Sequence, residues 1–118
     1  MQIWHYLELA AETAKLNTDL RRHCLGAVAI RKDGAIVTSR NGSIYMGRET
    51  CGYPQGHAEF RCLQKAGIGA IFFVARVKNG GDLGLAKPCP FCQSLLSRKV
   101  SKVFYTINND NYGILNWA

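Results

Sequence analysis

Hydrophobic positions recur at helical spacing near the start of the chain. Ile3, Leu7, Ala10, Ala11 and Ala14 share one face, with Glu8, Glu12 and Lys15 on the other. That spacing predicts an amphipathic helix over residues 3–16, ended by Asn17-Thr18-Asp19. Residues 26–31 and 35–39 are short β-prone runs joined by Lys32-Asp33-Gly34, where Asp-Gly supplies the positive φ that a tight hairpin turn demands. Residues 40–56 hold four glycines and Pro54 and read as loop. A second helix is predicted over 57–66, closed by Gly67. Residues 70–77 are almost continuously apolar, the pattern of a strand covered on both faces. Residues 78–82 turn the chain, a third helix runs over 90–99, and 102–107 form a further strand. Residues 108–118 are polar and aromatic, with 112–117 available as a short edge strand. The order α-β-β-α-β-α-β predicts an α/β protein, a three-layer α/β/α sandwich around a mixed sheet.

Composition narrows the class. At 118 residues the chain is read as one domain spanning 1–118, without internal repeats. Hydrophobic residues at 47% and charged residues at 19% support a packed core and exclude a disordered chain. No run approaches the ~18 apolar residues of a membrane span. The opening segment interrupts its apolar stretch with Glu8 and Glu12 and has no leading basic cluster, so it does not read as a signal peptide. The expectation is a soluble, cytoplasmic protein without a membrane partner; nothing in the pattern sets an oligomeric state. Five cysteines, an odd number, argue against a disulfide framework and make close pairs candidates for metal or redox chemistry. A net charge of +7 favours an anionic partner, either nucleic acid or a nucleotide.

The sharpest local feature is Cys89-Pro-Phe-Cys92. Thiolates three residues apart at a helix start face the same side and can bind one tetrahedral zinc, and Pro90 suits a first helical position. Alone, the pair is compatible with structural zinc, a redox couple or a catalytic metal. His57-Ala-Glu59 opens the preceding helix. One imidazole and two thiolates make three protein ligands and leave a corner for water, as in catalytic zinc sites. Glu59 is too near His57 in sequence to be a comfortable co-ligand, and can instead stand beside that water and shuttle its proton. The competing reading has Cys51 or Cys62 completing a closed structural site, with Glu59 merely a first-turn dipole partner. Cys24 and Cys62 read most simply as core residues, and His5 and His23, without motif partners, as structural or surface residues.

His57-Ala-Glu59 followed by Pro88-Cys-Pro-Phe-Cys92 resembles the zinc-dependent cytidine/deoxycytidylate deaminase superfamily, whose signature is H-x-E…P-C-x-x-C. The resemblance extends over nearly the whole chain: the opening helix, the hairpin, both motif-bearing helices and the strands after them follow that family's order. It implies a cytidine deaminase-like mixed sheet of four to five strands. It further implies one Zn2+ per chain held by His57, Cys89 and Cys92, with Glu59 as the catalytic proton shuttle. By the same resemblance Asn41, in Asn41-Gly42, contacts the substrate sugar or base, and the backbone N–H of Ala58 lines the base pocket.

Histidine, where nucleoside cytidine deaminases carry a third cysteine, points by resemblance to the branches acting on nucleotides or polynucleotides. Two departures stand out. Arg61 occupies the position where many deoxycytidylate deaminases have asparagine, and the sequence stops at Ala118, short of the family's C-terminal helices. Substrate contacts from that segment would fall to Tyr105, Tyr112 and Trp117. Arg21, Arg22, Arg40 and Arg48 fall before or within the loops expected to border the pocket, and Tyr45, Tyr53, Phe91, Tyr105 and Trp117 offer rings for base stacking. The expected activity is zinc-dependent hydrolytic conversion of cytosine to uracil in single-stranded DNA or another polynucleotide. The alternatives are deamination of free deoxycytidylate or another small cytosine nucleotide or nucleoside, and deamination of adenosine in RNA. A non-catalytic zinc-bearing nucleic-acid-binding module is the fourth, and it would have no use for the proton shuttle.

Overall fold

Two sets of apolar side chains, one on each side of a single sheet, set the architecture. The computed structural model describes residues 2–15, 24–40, 58–78, 80–88 and 90–117, with the backbone alone at 58–61 and 91. Along these run α1 (Ile3–Ala14), β1 (Cys24–Ile30), β2 (Ile36–Arg40), α2 (Ala58–Ala66), β3 (Ala70–Val77), β4 (Leu83–Gly84), α3 (Pro90–Leu96), β5 (Val100–Thr106) and β6 (Tyr112–Asn116). The strand order is β2-β1-β3-β5-β6, with β4 pairing the end of β3. β3 and β5 are parallel, and the other pairs are antiparallel.

Alternation along the strands separates the two cores. Leu7, Ala10 and Ala14 of α1 pack with Val28, Phe73 and Phe104 on one face. Cys62, Leu63 and Ala66 of α2 and Leu96 of α3 pack with Ala27, Phe72, Val74 and Val103 on the other. The chain is therefore the predicted α/β/α sandwich. Phe72, Phe73, Val74 and Ala75 are all fully buried, as expected of a strand covered on both sides. Gly26 lets α1 lie directly on β1: a Cβ there would run into the Ala10 carbonyl oxygen and stand 2.7 Å from the Ala14 nitrogen. A row of rings lines the α1 face, with Tyr6 stacked on Phe73 (4.9 Å), Phe73 on Phe104 (5.2 Å), and Tyr112 edge-on to both Phe104 and Trp4.

The hairpin turn has the chemistry its sequence demands. Gly34 takes φ 91°, the Asp33 carboxylate accepts from the Ala35 N–H (3.0 Å), and the Gly34 N–H donates to the Arg31 carbonyl (2.9 Å). Of the boundaries that differ from expectation, two have a visible cause. α3 ends at Leu96, because the Lys99 N–H turns back to the Leu96 carbonyl and the Lys99 carbonyl accepts from Gly69. β5 begins at Val100, where a register shift against β3 lodges Ser101 as an extra residue and disguises the alternation. β4, two residues long, raises the sheet to six strands. Among the described residues no helix is long and apolar enough to cross a membrane.

Candidate active site

Short connections fix where the two motif-bearing helices point. α2 is joined to β3 through residues 67–69, and α3 to β5 through 97–99. Each helix therefore folds back along the strand it feeds, on the same face of the sheet, and the two share one core. Because β3 and β5 are parallel, both helix starts lie toward the C-terminal ends of these strands. Open α/β sheets place ligands beyond those ends.

Ala58 is the first residue of α2, directly after His57, and Glu59 is the second. Pro90 is the first residue of α3, and Cys92 lies in its first turn, 1% exposed. His57, Cys89 and Asn41 lie outside the described residues. Among the described residues no three His, Cys, Asp or Glu side chains come together; what the structure describes of the donor set is a buried thiol in the first turn of one helix, beside a helix whose start directly follows His57 in sequence. Cys62 lies one turn deeper in α2, fully buried in the shared core with its sulfur 3.9 Å from the Val37 carbonyl oxygen, as a packing residue would be. Cys51 falls outside the described residues, and Cys24 is half-buried against the α1 core. His5 is exposed, edge-on to Tyr6 at 5.2 Å.

The three aromatic residues that the sequence offers for substrate contact, Tyr105, Tyr112 and Trp117, part company. Tyr105 lies on the α2/α3 face near the end of β5, beside Val74, with its ring over Gly113. Tyr112 is on the opposite face, its ring 5.7 Å from that of Trp4, because its partner Thr106 is one step further along the alternation than Tyr105. Trp117 follows the Lys102↔Asn116 pair, at the far end of the sheet from the helix starts. Neither shares both the face and the end of the sheet on which Tyr105 and the helix starts lie. Arg40 pairs with Gly26 and so stands on the α1 side of β2. Arg21, Arg22, Arg48, Tyr45, Tyr53 and the Phe91 side chain lie outside what the structure describes.

No protein-family model and no curated protein matches the chain. By structure it is similar to cytidine deaminase from Burkholderia pseudomallei, with TM-score 0.71 and 18% identity over 99% of this chain and 94% of that one. It is also similar to cytidine deaminase from Mycobacterium tuberculosis, with TM-score 0.61 and 20% identity over 90% and 85%. A structure from work on A-to-I editing by tRNA:A34 deaminases gives TM-score 0.60 and 23% identity over 89% and 76%. The chain has the cytidine deaminase fold.

Within this cytidine deaminase fold, a set of polar contacts invisible to motif spacing fixes the segment that leads into Cys89. Thr106 is fully buried. Its hydroxyl donates to the Gly84 carbonyl (2.7 Å) and accepts from the Arg76 N–H (3.2 Å), while its own carbonyl accepts from the Ala86 N–H (2.9 Å). The Asn109 side chain accepts from the Leu83 N–H (2.8 Å) and donates to Asp82 (3.0 Å). On the helix side, the Gln93 amide donates to the Pro88 carbonyl (2.8 Å). Residues 82–88 are thus held from β3, from the β5–β6 turn and from α3. Arg76 also emerges on the α2/α3 face at the end of β3, half-buried, its stem and that of Lys78 lying against Gly84. Strand alternation was the signal for it, since Phe72 and Val74 share its face.

Proposed function

We propose that this protein is a hydrolytic deaminase that converts cytosine to uracil in single-stranded nucleic acid, with His57, Cys89 and Cys92 holding one zinc ion. The observation that carries the reading is the pairing of two motif-bearing helices whose starts lie toward the same ends of a parallel strand pair, with Cys92 buried in the first turn of one of them. Likeness of fold to cytidine deaminases and to a structure from tRNA:A34 deaminase work supports the class. When bound, zinc supplies the electrostatic activation that brings the ionisation of water near neutrality. Glu59 takes the proton of the attacking water and delivers it to N3 of the cytosine ring. Water oxygen becomes bonded to C4, its remaining proton passes through Glu59 to the amino nitrogen, the C4–amino bond breaks as the C4 carbonyl forms, and ammonia leaves. The Ala58 N–H and the side chains of Asn41 and Tyr105 are assigned to the base and sugar.

The net charge of +7 favours a polynucleotide over a free nucleotide, because each phosphate neutralised releases counterions and adds to affinity. The fold likeness to cytidine deaminases supports a second reading, in which the substrate is a small cytosine nucleoside or nucleotide. In that case a panel of cytidine, deoxycytidylate, single-stranded DNA and RNA yields ammonia from the small substrates alone. The primary reading predicts ammonia from a cytosine-containing oligonucleotide. Glu59→Gln should abolish ammonia release while leaving the melting temperature and zinc content of the protein unchanged. Full turnover by that variant overturns the assignment of Glu59.

A further inference from the structure

Five of the eleven basic residues whose side chains the structure describes cluster away from the helix starts. β1 runs antiparallel to β3, so Ile30 pairs with Ile71 and the hairpin turn projects from the end of the sheet where β3 begins. The same end receives the start of β5, through the Gly69 N–H donating to the Lys99 carbonyl (2.6 Å) and the Ala70↔Val100 pair. The Lys32 stem crosses to Gly69, its Cδ 3.5 Å from where a Cβ would stand. The hairpin and the α3–β5 connection therefore bring Arg31, Lys32, Arg98, Lys99 and Lys102 to one end of the molecule, while the Lys65 ammonium at the end of α2 turns to the Thr38 carbonyl (2.7 Å). All five but the half-buried Lys102 are exposed. Asp33 stands against them, 3.3 Å from Arg31.

Two apolar side chains lie at the same end, one exposed and one packed. Ile68, at the tip of the Gly67-Ile68-Gly69 turn, is 74% exposed. Trp117 follows the Lys102↔Asn116 pair and is half-buried against the α2/α3 core. Cations that track phosphates, interleaved with a ring and an apolar tip that a base or sugar can cover, are the ingredients of single-strand binding. An acidic protein surface would use the charge and leave the ring and the isoleucine idle.

We infer that this end of the sheet binds the phosphate backbone of single-stranded nucleic acid, as a grip separate from the proposed deaminase centre. The inference rests on the polynucleotide half of the proposed function and not on its chemistry. α2 has nine residues, so the grip lies about 13 Å, one helix length, from the start of that helix. A strand whose target base occupies the centre can reach it within a few nucleotides.

The test compares the wild type with a Lys32→Gln, Arg98→Gln, Lys99→Gln triple variant, by fluorescence anisotropy of labelled single-stranded DNA and RNA across a salt series. Single strands lose about 0.7 in the slope of log affinity against log salt per phosphate contact. The triple variant should show a slope shallower by about 2 and bind about a hundredfold more weakly at 0.1 M salt. Its melting temperature and its turnover of deoxycytidylate or cytidine should match the wild type, since the three side chains are exposed and remote from the motifs. Equal affinity and slope in the two proteins overturns the grip, and if oligonucleotide is still deaminated the proposed function survives that failure. Competition by polyglutamate as effective as by oligonucleotide also overturns it, in favour of an acidic protein partner. Loss of binding in the triple variant of a protein that deaminates nothing upholds the grip and removes the enzyme.

Discussion

Thr106 offers a direct measure of how firmly the segment before Cys89 is held. Its hydroxyl is fully buried and serves two backbone groups at once, the Gly84 carbonyl and the Arg76 N–H. Thr106→Val keeps the shape and removes both contacts. Leaving a buried backbone group without its partner costs about 1–3 kcal/mol each, and the added methyl returns about 1 kcal/mol through burial. The net expectation is a loss of about 1–5 kcal/mol. For 118 residues the unfolding entropy near the midpoint is about 0.25 kcal/mol/K, so the melting temperature should fall by about 4–20 °C. Thr106→Ser retains the hydroxyl and loses only a methyl, which costs about 1 kcal/mol, or about 4 °C. Thermal unfolding followed by circular dichroism reads both. If Thr106→Val melts within about 3 °C of the wild type, the clamp does not hold β4 in solution and the account of how α3 is positioned fails.

Gly26→Ala would drive a methyl into the Ala10 carbonyl and the backbone of Ala14, and should destabilise by about 1–3 kcal/mol in urea titration, because α1 has to lift off β1. Gly113→Ala would collide with the Tyr105 ring, whose Cε2 lies 2.6 Å from the added Cβ; if that ring meets the substrate, KM should rise with little change in kcat. Cys92→Ser should lower bound zinc from one per chain toward none by elemental analysis. A chelator should then depress the melting temperature of the wild type and leave that of the variant unmoved. Asn109→Ala removes two contacts that hold β4 to the β5–β6 turn and should cost about 0.5–1.5 kcal/mol, since both are exposed.

The elements that local patterning could announce are those whose cause is local. β3 is legible because burial on both sides leaves an unbroken apolar run, and the hairpin because Asp33-Gly34 admits one kind of turn. β4 leaves no mark, since two residues become a strand only when Thr106 and Asn109 arrive from a distant turn. The start of β5 is hidden by the extra residue at Ser101, which breaks the alternation that would reveal it. For the site, residue types and spacing carry the donor chemistry, whereas the side of the sheet on which Tyr105, Tyr112 and Arg40 stand depends on pairing register. The basic end of the sheet depends on which strands become neighbours, and no run of sequence states that.

The ring of Trp4 rests on Tyr112, and Tyr112 rests on Phe104. During synthesis the opening helix therefore leaves the ribosome long before the strand that covers its tryptophan, and it waits exposed while almost all of the intervening chain is made. A nascent chain arrested just short of β6 should be prone to aggregation and bound by chaperones, and release of the final strand should bury the indole in a single late step.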